Sequence, residues 1–439
     1  MKYEFEKLLR QRKLLIIVTL ALIAVYVSLA FSGSYDTFTG FSVDYFWEDE
    51  EYREFRMSQE TELVDEAWIE NMHAEYKAFV DENMMSPEEI AEHIAAKKAE
   101  GFQIDCTAEE AIANCYDIDY AFEILKSDAF YSRKMENTYI DVFNIYVPLA
   151  EDPVQYIHDS YEQSNYFWEK DTGMTWWKYM GYSDTQWTDY WNLIDSTYED
   201  LELTVGYSLG WDVLSSVMQF LPFTLGMVLI VVLGNLFSQE QTDNMLSILR
   251  TTKNGRARLL RRKLGVAVLV ASALWLLFQF AMLIAVSLAY TLRGANVTAM
   301  CFSGAPNLYG LSWLQYYLIN CVYSYLGTLV FALFVCCMSS HLKLRLSMPI
   351  NLVLTLLTGI PLNNFCYADQ AFKLLDKLRA VTPAQLISSY STLQVYQSYE
   401  YGNVVAQLRL LHPECSIQAP RPVLRLYLHP FRRSGADEE

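Results

Sequence analysis

"SQEQTDNMLSILRTTKNGRARLLRRK", residues 238–263, is polar and then strongly basic, yet it lies between two of the longest apolar runs of the chain. A bilayer core takes about 20 consecutive apolar residues as helix. Five runs meet or approach that length: 14–31, 213–237, 264–292, 313–339 and 346–362. With 52% hydrophobic and 15% aromatic residues among 439, the chain reads as an all-α integral membrane protein with five evident spans. The quoted stretch is then a segment held in water between the second and third spans.

The first run follows Lys2, Lys7, Arg10, Arg12 and Lys13 and ends near the small residues of "LAFSGS", an outline shared with secretory signals. Its 18 apolar residues exceed a typical signal core and four more spans follow, so it is read as an uncleaved helix.

The net charge of −19 conceals a segregation. Residues 33–208 hold 40 Asp and Glu against 10 Lys and Arg, a balance of −30, and the rest of the chain carries the difference between −19 and −30, which is +11. The domains expected are therefore 1–32 (N-terminus and first span), 33–208 (an acidic domain), 209–362 (the second to fifth spans) and 363–439 (a further segment and tail). Short basic loops favour the cytoplasm. The N-terminus carries five Lys or Arg, residues 250–263 seven and the turn at 343–345 two, against one in 293–312 and three in 363–385. Fourteen against four places the N-terminus and residues 238–256 in the cytoplasm of a multi-pass cell-membrane protein, and 33–208 outside.

The acidic domain is predicted to be mainly helical, with no alternation long enough for a sheet. "SPEEIAEHIAAKKAEG" (86–101) offers Ser86 as cap, Pro87 at the first helical position, Glu89 for the capping box and Gly101 beyond the end. "TAEEAIANCYDIDYAFEILK" (107–126) repeats the device with Thr107 and Glu110, and a further helix starts on Asp152 and Pro153. Trp47, Trp68, Trp168, Trp176, Trp177, Trp187 and Trp191 fall here, either as a ligand-facing aromatic surface or, the plainer reading, as the filling of a helical core. A helix capped by Thr107 sets Cys106 and Cys115 about 13 Å apart along its axis, beyond disulfide reach, so that helix and that bridge exclude each other. Cys301 and Cys366 fall in loops on the outer side and could pair; Cys321, Cys336 and Cys337 read as packing residues.

Proton-driven transporters and intramembrane proteases keep ionisable groups in the bilayer, where each costs about 2.5–3.5 kcal/mol on insertion scales. The five runs contain no Asp, Glu, Lys, Arg or His. No GxxxxGK[ST] loop, HExxH pair or GxSxG elbow occurs, and no two of the eight Cys have metal-ligand spacing. The chain reads as no enzyme, with no cofactor, no metal and no nucleic-acid partner, so energy for any transport must come from another polypeptide.

Placed at 100° per residue, Met245, Leu246, Ile248 and Leu249 of the quoted stretch fall within an arc of about 160°, opposite Glu240, Asp243, Asn244, Ser247 and Arg250. Ser238 and Gln241 offer a capping box, Asn254 and Gly255 a turn, and Arg256 to Lys263 a basic anchor at the membrane surface. Glu240, Leu246 and Leu249 followed by "RTTKNGR" (250–256) and Lys263 resemble the cytoplasmic element between the second and third spans of ABC-2-type transporter permeases of Gram-positive gut bacteria. The layout of nearly the whole chain is similar, including "TPAQL" (382–386), but only 240–263 carries a specific motif.

The resemblance implies that 238–256 is a coupling helix docking on a separate ATP-hydrolysing subunit. Glu240, Leu246 and Leu249 match its helix, Thr251, Thr252, Lys253, Gly255 and Arg256 its turn, and Lys263 the start of the third span; Asp243 joins the contact face. A second permease copy or paralogue completes the expected assembly, in the lipid bilayer. The plainer alternative is a generic interfacial helix with a basic anchor. At the level of function, the other class is a membrane-tethered sensor or scaffold whose acidic domain binds cationic peptides. One departure stands out: the family has a sixth span, whereas 404–428 contains Pro413, Pro420 and Pro422 beside Arg409, His412, Glu414, Arg421 and Arg425, so the tail is expected to be atypical, as from a frame-shifted or truncated gene end.

Overall fold

A computed structural model describes residues 12–31, 46–47, 50–102, 104, 106–130, 135–159, 162, 183–199, 201–242, 255–300, 309–341, 344–359, 387, 398–401, 404–407 and 427–430. In chain order, α1 (Arg12–Leu29) precedes an insert, which contains α2 (Glu50–Ser58), β1 (Glu62–Leu63), α3 (Glu66–Asn83), α4 (Pro87–Ala99), α5 (Ala108–Ala113), α6 (Asp184–Tyr198) and β2 (Thr204–Val205). A helical bundle follows: α7 (Leu209–Val217), α8 (Leu221–Thr242), α9 (Gly255–Ala289), α10 (Trp313–His341) and α11 (Leu344–Gly359). The described parts of the tail are three antiparallel strands, β3 (Ser398–Tyr401), β4 (Val404–Gln407) and β5 (Tyr427–Pro430), with Ser398 opposite Gln407 and Val404 opposite Pro430. Part of the expected atypical tail is thus extended chain, its Val404 and Val405 suiting a strand; residues 408–426 lie outside the described residues.

Among the described residues, three helical stretches are long and apolar enough to cross a membrane: Leu209–Gly234, Leu260–Ala289 and Trp313–His341; Leu15–Leu29 is apolar but shorter. The fifth expected run corresponds to α11, 16 residues with Pro349 inside. Of the most apolar window in each long helix, 72% of residues are buried for Leu209–Gly234, against 28% and 39% for the other two, which makes α7 and α8 the centre of the bundle. Leu221, Leu225, Val228, Leu229 and Leu233 of α8 are buried together with Tyr26 of α1, Ala267, Ala271 and Phe278 of α9, and Phe331, Ala332 and Val335 of α10. Gly226 lets α11 approach, since a Cβ there would stand 3.1 Å from the Thr355 methyl.

Exposed Leu318, Val322, Leu326 and Val330 run down α10 at intervals of four, and Leu269, Leu276, Phe280, Ile284 and Leu288 stand out on α9. A continuous apolar ridge of this kind on a soluble protein would aggregate, whereas lipid chains solvate it as well as a core does.

The insert follows its sequence signals closely at three helix starts. Ser86 and Glu89 form a reciprocal capping box at α4, with Glu89 Oε2 accepting from the Ser86 N–H at 2.8 Å, and Thr107 with Glu110 does the same at α5. Asp152 Oδ1 accepts from the Gln155 N–H at 2.9 Å ahead of helical residues 153–159. Gly101 adopts φ +94°, the left-handed conformation that ends α4. Two expectations are corrected. The helix from Thr107 stops at Ala113 with Asn114 as its C-cap, because Asp117 caps a new 3-10 turn at Ile118–Tyr120 that redirects the chain. A two-stranded pairing also exists, Glu62 opposite Val205 and Leu63 opposite Thr204, too short to show as alternation.

The insert has two cores. Tyr76, Val80, Ile90, Ile94, Ala111, Ile124 and Tyr139 form one, and Val64, Leu149, Ile157, Tyr190, Ile194, Tyr198 and Leu203 the other. Its two chain ends are clasped to the segment after α9. Tyr290 Oη donates to the Ala30 carbonyl at 2.7 Å and accepts from Trp47 Nε1 at 2.9 Å, while the Tyr207 hydroxyl donates to the Tyr290 carbonyl. Thr204 and Thr298 exchange backbone-to-hydroxyl hydrogen bonds of 3.0 Å each way.

The backbones touch at this clasp. A Cβ on Gly210 would lie 2.0 Å from the Thr291 carbonyl oxygen, and one on Gly294, at φ +69°, 2.0 Å from that of Tyr207. Neither obstacle is a flexible side chain. Gly210→Ala is therefore expected to lower stability by about 1–3 kcal/mol or prevent assembly, measured as the thermal midpoint of the detergent-purified chain; an unchanged midpoint would contradict the close approach.

Candidate functional site

The described parts of the polar stretch between the second and third apolar runs, 238–242 and 255–263, belong to the end of α8 and the start of α9. The helix α8 runs without interruption to Thr242, so Ser238 lies inside it and is not a helix cap. No Gly or Pro separates Gly234 from Thr242 in the sequence, and nothing there stops propagation. Glu240 thus belongs to the last turn of α8. Asp243, Leu246, Leu249, Thr251, Thr252 and Lys253 lie outside the described residues. Gly255 and Arg256 open α9, while Asn254, the other residue of the expected turn, lies outside the described residues.

The basic run that follows is split. Arg261 and Arg262 are exposed, whereas Lys263 is fully buried, within electrostatic reach of Cys336 on α10. Lys263 therefore departs from the expected surface anchor, for a helical reason: residue 263 falls on the side of α9 that carries the buried Ala267 and Ala271, at spacings of four. A lysine is almost never fully buried unless paired.

The bundle interior is more polar than the five runs suggested. Starting at Leu209, the second long helix includes Asp212, which is 1% exposed. Asp212 lies one position ahead of the apolar run that begins at 213, and the helix extends across it. Ser216 Oγ donates to Asp212 Oδ1 at 3.2 Å, and Ser215 is also 1% exposed. Across from them, α10 buries Asn320, Ser324 and Thr328 at intervals of four; Trp275 Nε1 of α9 donates to Ser324 Oγ at 3.0 Å. Gln279 on α9 is 6% exposed, with neither amide atom hydrogen-bonded. Asp212 and Lys263, one position ahead of the apolar runs that begin at 213 and 264, are thus enclosed within the bundle.

In the insert, Trp68, Trp187 and Trp191 pack against the second core, as the plainer reading of the tryptophans has it. Trp47 is 42% exposed but tied to Tyr290, and Trp168, Trp176 and Trp177 lie outside the described residues. Cys106 and Cys115 are free thiols flanking α5, so the helix, not the bridge, is the alternative taken. Cys301 and Cys366 are outside the described residues. His158 stacks on Trp191 with ring centroids 3.9 Å apart and faces Asp195 Oδ1 at 3.1 Å from Nε2. Among the described residues, no three His, Cys, Asp or Glu converge as a metal ion would need.

No protein-family model, no curated protein and no solved structure matches the chain.

Among the described carboxyls of the insert, Asp141 is the one shifted furthest from its ordinary value. Asp141 lies between two π-helical turns, Met135–Ile140 and Val142–Tyr146, and burial pushes its pKa up from 3.8 to about 6, opposed by the Arg56 guanidinium. Because the folded value exceeds the unfolded one, this group's stabilising contribution is complete below about pH 4 and lost as pH rises through about 6. Relative to Asp141→Asn, the wild-type chain is expected to lose roughly 2 kcal/mol across that window, read as thermal midpoints at successive pH values. Parallel curves for the two proteins would contradict it.

Proposed function

We propose that the chain is the membrane permease subunit of an ABC transporter, an exporter of the ABC-2 type, driven by ATP hydrolysis on a separate subunit. The observation that carries this reading is the order of residues in the sequence from 240 to 263: acidic Glu240, the oily positions Leu246 and Leu249, "TTKNGR" and the basic run that opens α9. Its placement supports the reading in a mechanical sense. Residues 243–254 connect the last turn of the buried central helix α8 to the first turn of α9. A partner pressing on that link acts on the centre and the rim of the bundle together.

In this proposal the N-terminus and residues 238–256 face the cytoplasm, the insert faces outside, and the membrane part is five spans, two of them contributed by α1 and α11. Asp243, Glu240 and Arg256 offer charges to the ATPase; Leu246 and Leu249 hold the link to the membrane surface. A second permease copy or paralogue completes the transport pathway, and paired subunits alternate between inward and outward arrangements as the ATPase dimer closes on ATP.

A second reading rests on the −30 balance of residues 33–208: a membrane-tethered sensor or scaffold that collects cationic peptides. Acidic surfaces attract polycations at long range, but a sensor needs an output domain, and the cytoplasmic segments of the proposed topology are short. A neighbouring gene for an ATPase with a P-loop favours the permease; a neighbouring kinase favours the sensor.

Co-purification of the chain with the ATPase of its own locus tests the proposal. Glu240→Ala and Arg256→Ala are each expected to weaken ATPase retention, by about tenfold for loss of a charged contact worth about 1.4 kcal/mol, and to uncouple ATP hydrolysis from the membrane subunit. Full retention and unchanged stimulation in both variants would refute it.

A further inference from the structure

Gln279 on α9 is a buried carboxamide of which neither polar atom has a hydrogen-bond partner among the described residues, and the permease reading makes no use of it. The contacts of its neighbours settle which side of α9 it occupies. Ser272 and Tyr325 are hydrogen-bonded at 2.9 Å and Trp275 donates to Ser324 at 3.0 Å, so both of these α9 residues face α10. At about 100° per residue, Gln279 falls roughly 40° from Trp275 around the helix axis, and Ser272 roughly 60° from it in the same sense. Position 279 thus lies between two that reach α10.

The same two contacts fix its level. With 272 beside 325 and 275 beside 324, α9 and α10 run antiparallel, and residue 279 is level with the turn of α10 that precedes Ser324. On that turn Cys321 falls between Ser324 and Tyr325 around the axis, so it faces α9 as they do. Its thiol and the Tyr317 hydroxyl are hydrogen-bonded to each other, and Gln279 bonds to neither. Trp211 of α7, 7% exposed, packs edge-on against the Tyr317 ring at 5.7 Å between centroids, and its Nε1 also lacks a partner. Buried polar groups are almost always hydrogen-bonded, and the exceptions mark places where water or a ligand supplies the bond. Inside a membrane bundle the demand is stronger still.

We propose that the seam between α9 and α10 at Gln279, Tyr317 and Cys321 is a recess that takes up water and small neutral solutes bearing a hydroxyl or an amide, with the Gln279 carboxamide as its contact group. A carboxamide has an acceptor oxygen and two donor hydrogens, so it pairs with a hydroxyl or an amide in either sense. Carboxamide, phenol, thiol and indole carry no formal charge, and a desolvated ion finds no counter-charge among them. One turn further along the seam the polar groups are engaged: Trp275 is bonded to Ser324, and Thr328 Oγ1 donates to the Ser324 carbonyl at 2.7 Å. On that side the recess ends at the level of Trp275.

The native Cys321 thiol reports on the recess in the full wild-type chain without any ATPase, so the outcome is separate from that of the co-purification experiment. The probe is hydroxyethyl methanethiosulfonate, itself a small neutral hydroxyl compound. The Cys321 thiol gives its proton to water, the thiolate attacks the sulfenyl sulfur, a mixed disulfide forms and methanesulfinate leaves. Adducts on the Cys321 peptide are read by mass spectrometry in the detergent-purified wild type and in Gln279→Leu, which keeps a side chain of similar size and removes the hydrogen-bonding group. The decyl analogue, run in parallel, reports access from the apolar phase. The expected result is labelling of wild-type Cys321 by the hydroxyethyl reagent and loss of that labelling in Gln279→Leu, with decyl labelling the same in both. A wild-type Cys321 that the hydroxyethyl reagent leaves unlabelled overturns the proposal without any variant having to fold. Hydroxyethyl labelling as fast in Gln279→Leu as in the wild type overturns it as well.

Discussion

The short bridge between residues 204–210 and 290–298 fixes both ends of the insert to the bundle. Gly210 and Gly294 let the two backbones touch, and the Tyr290 side chain and carbonyl together tie Ala30, Trp47 and Tyr207 to one point. An insert of this size joined by two loose linkers would move independently of the helices. Joined through backbone contacts with no room for a Cβ, its chain ends are held to the segment after α9.

Polarity in the bundle is distributed unevenly along its length. Asp212, with Ser215 and Ser216, sits at the end that carries the insert, and Lys263 at the end that carries the link between α8 and α9. Between them α10 contributes Asn320, Ser324 and Thr328 on one face while presenting Leu318, Val322, Leu326 and Val330 on another. Such a helix is amphipathic in an inverted sense: the polar stripe faces protein and the apolar stripe faces lipid. Buried polar groups in this setting are costly unless satisfied, so the arrangement concentrates specificity on few contacts, such as Trp275 to Ser324.

In the proposed permease the two buried charges would lie on the helices that a coupling element moves. Lys263 is on α9, two turns inside its start, and Asp212 precedes the break that leads into α8. Movement of the link between α8 and α9 would then act on α8, which a 3-10 turn at Met218–Phe220 joins to α7.

Local signals were the legible ones. Capping boxes at Ser86 and Thr107, the left-handed Gly101 and the start at Asp152 depend on neighbours within a few residues, and sequence order alone specifies them. Apolar length likewise announces membrane helices, since a bilayer demands about 20 such residues whatever they pack against. The burial of Lys263 and Asp212, the continuation of α8 through Ser238 and the early stop of α5 were not legible. Each depends on which face of a helix meets another helix, or on a cap beyond the helix, and composition is blind to that. The sequence by itself determined that helices form, where several begin and that the membrane is their solvent; only tertiary packing decided which charges are enclosed and which backbones touch, because those follow from helix rotation and crossing, quantities that no local run of residues encodes.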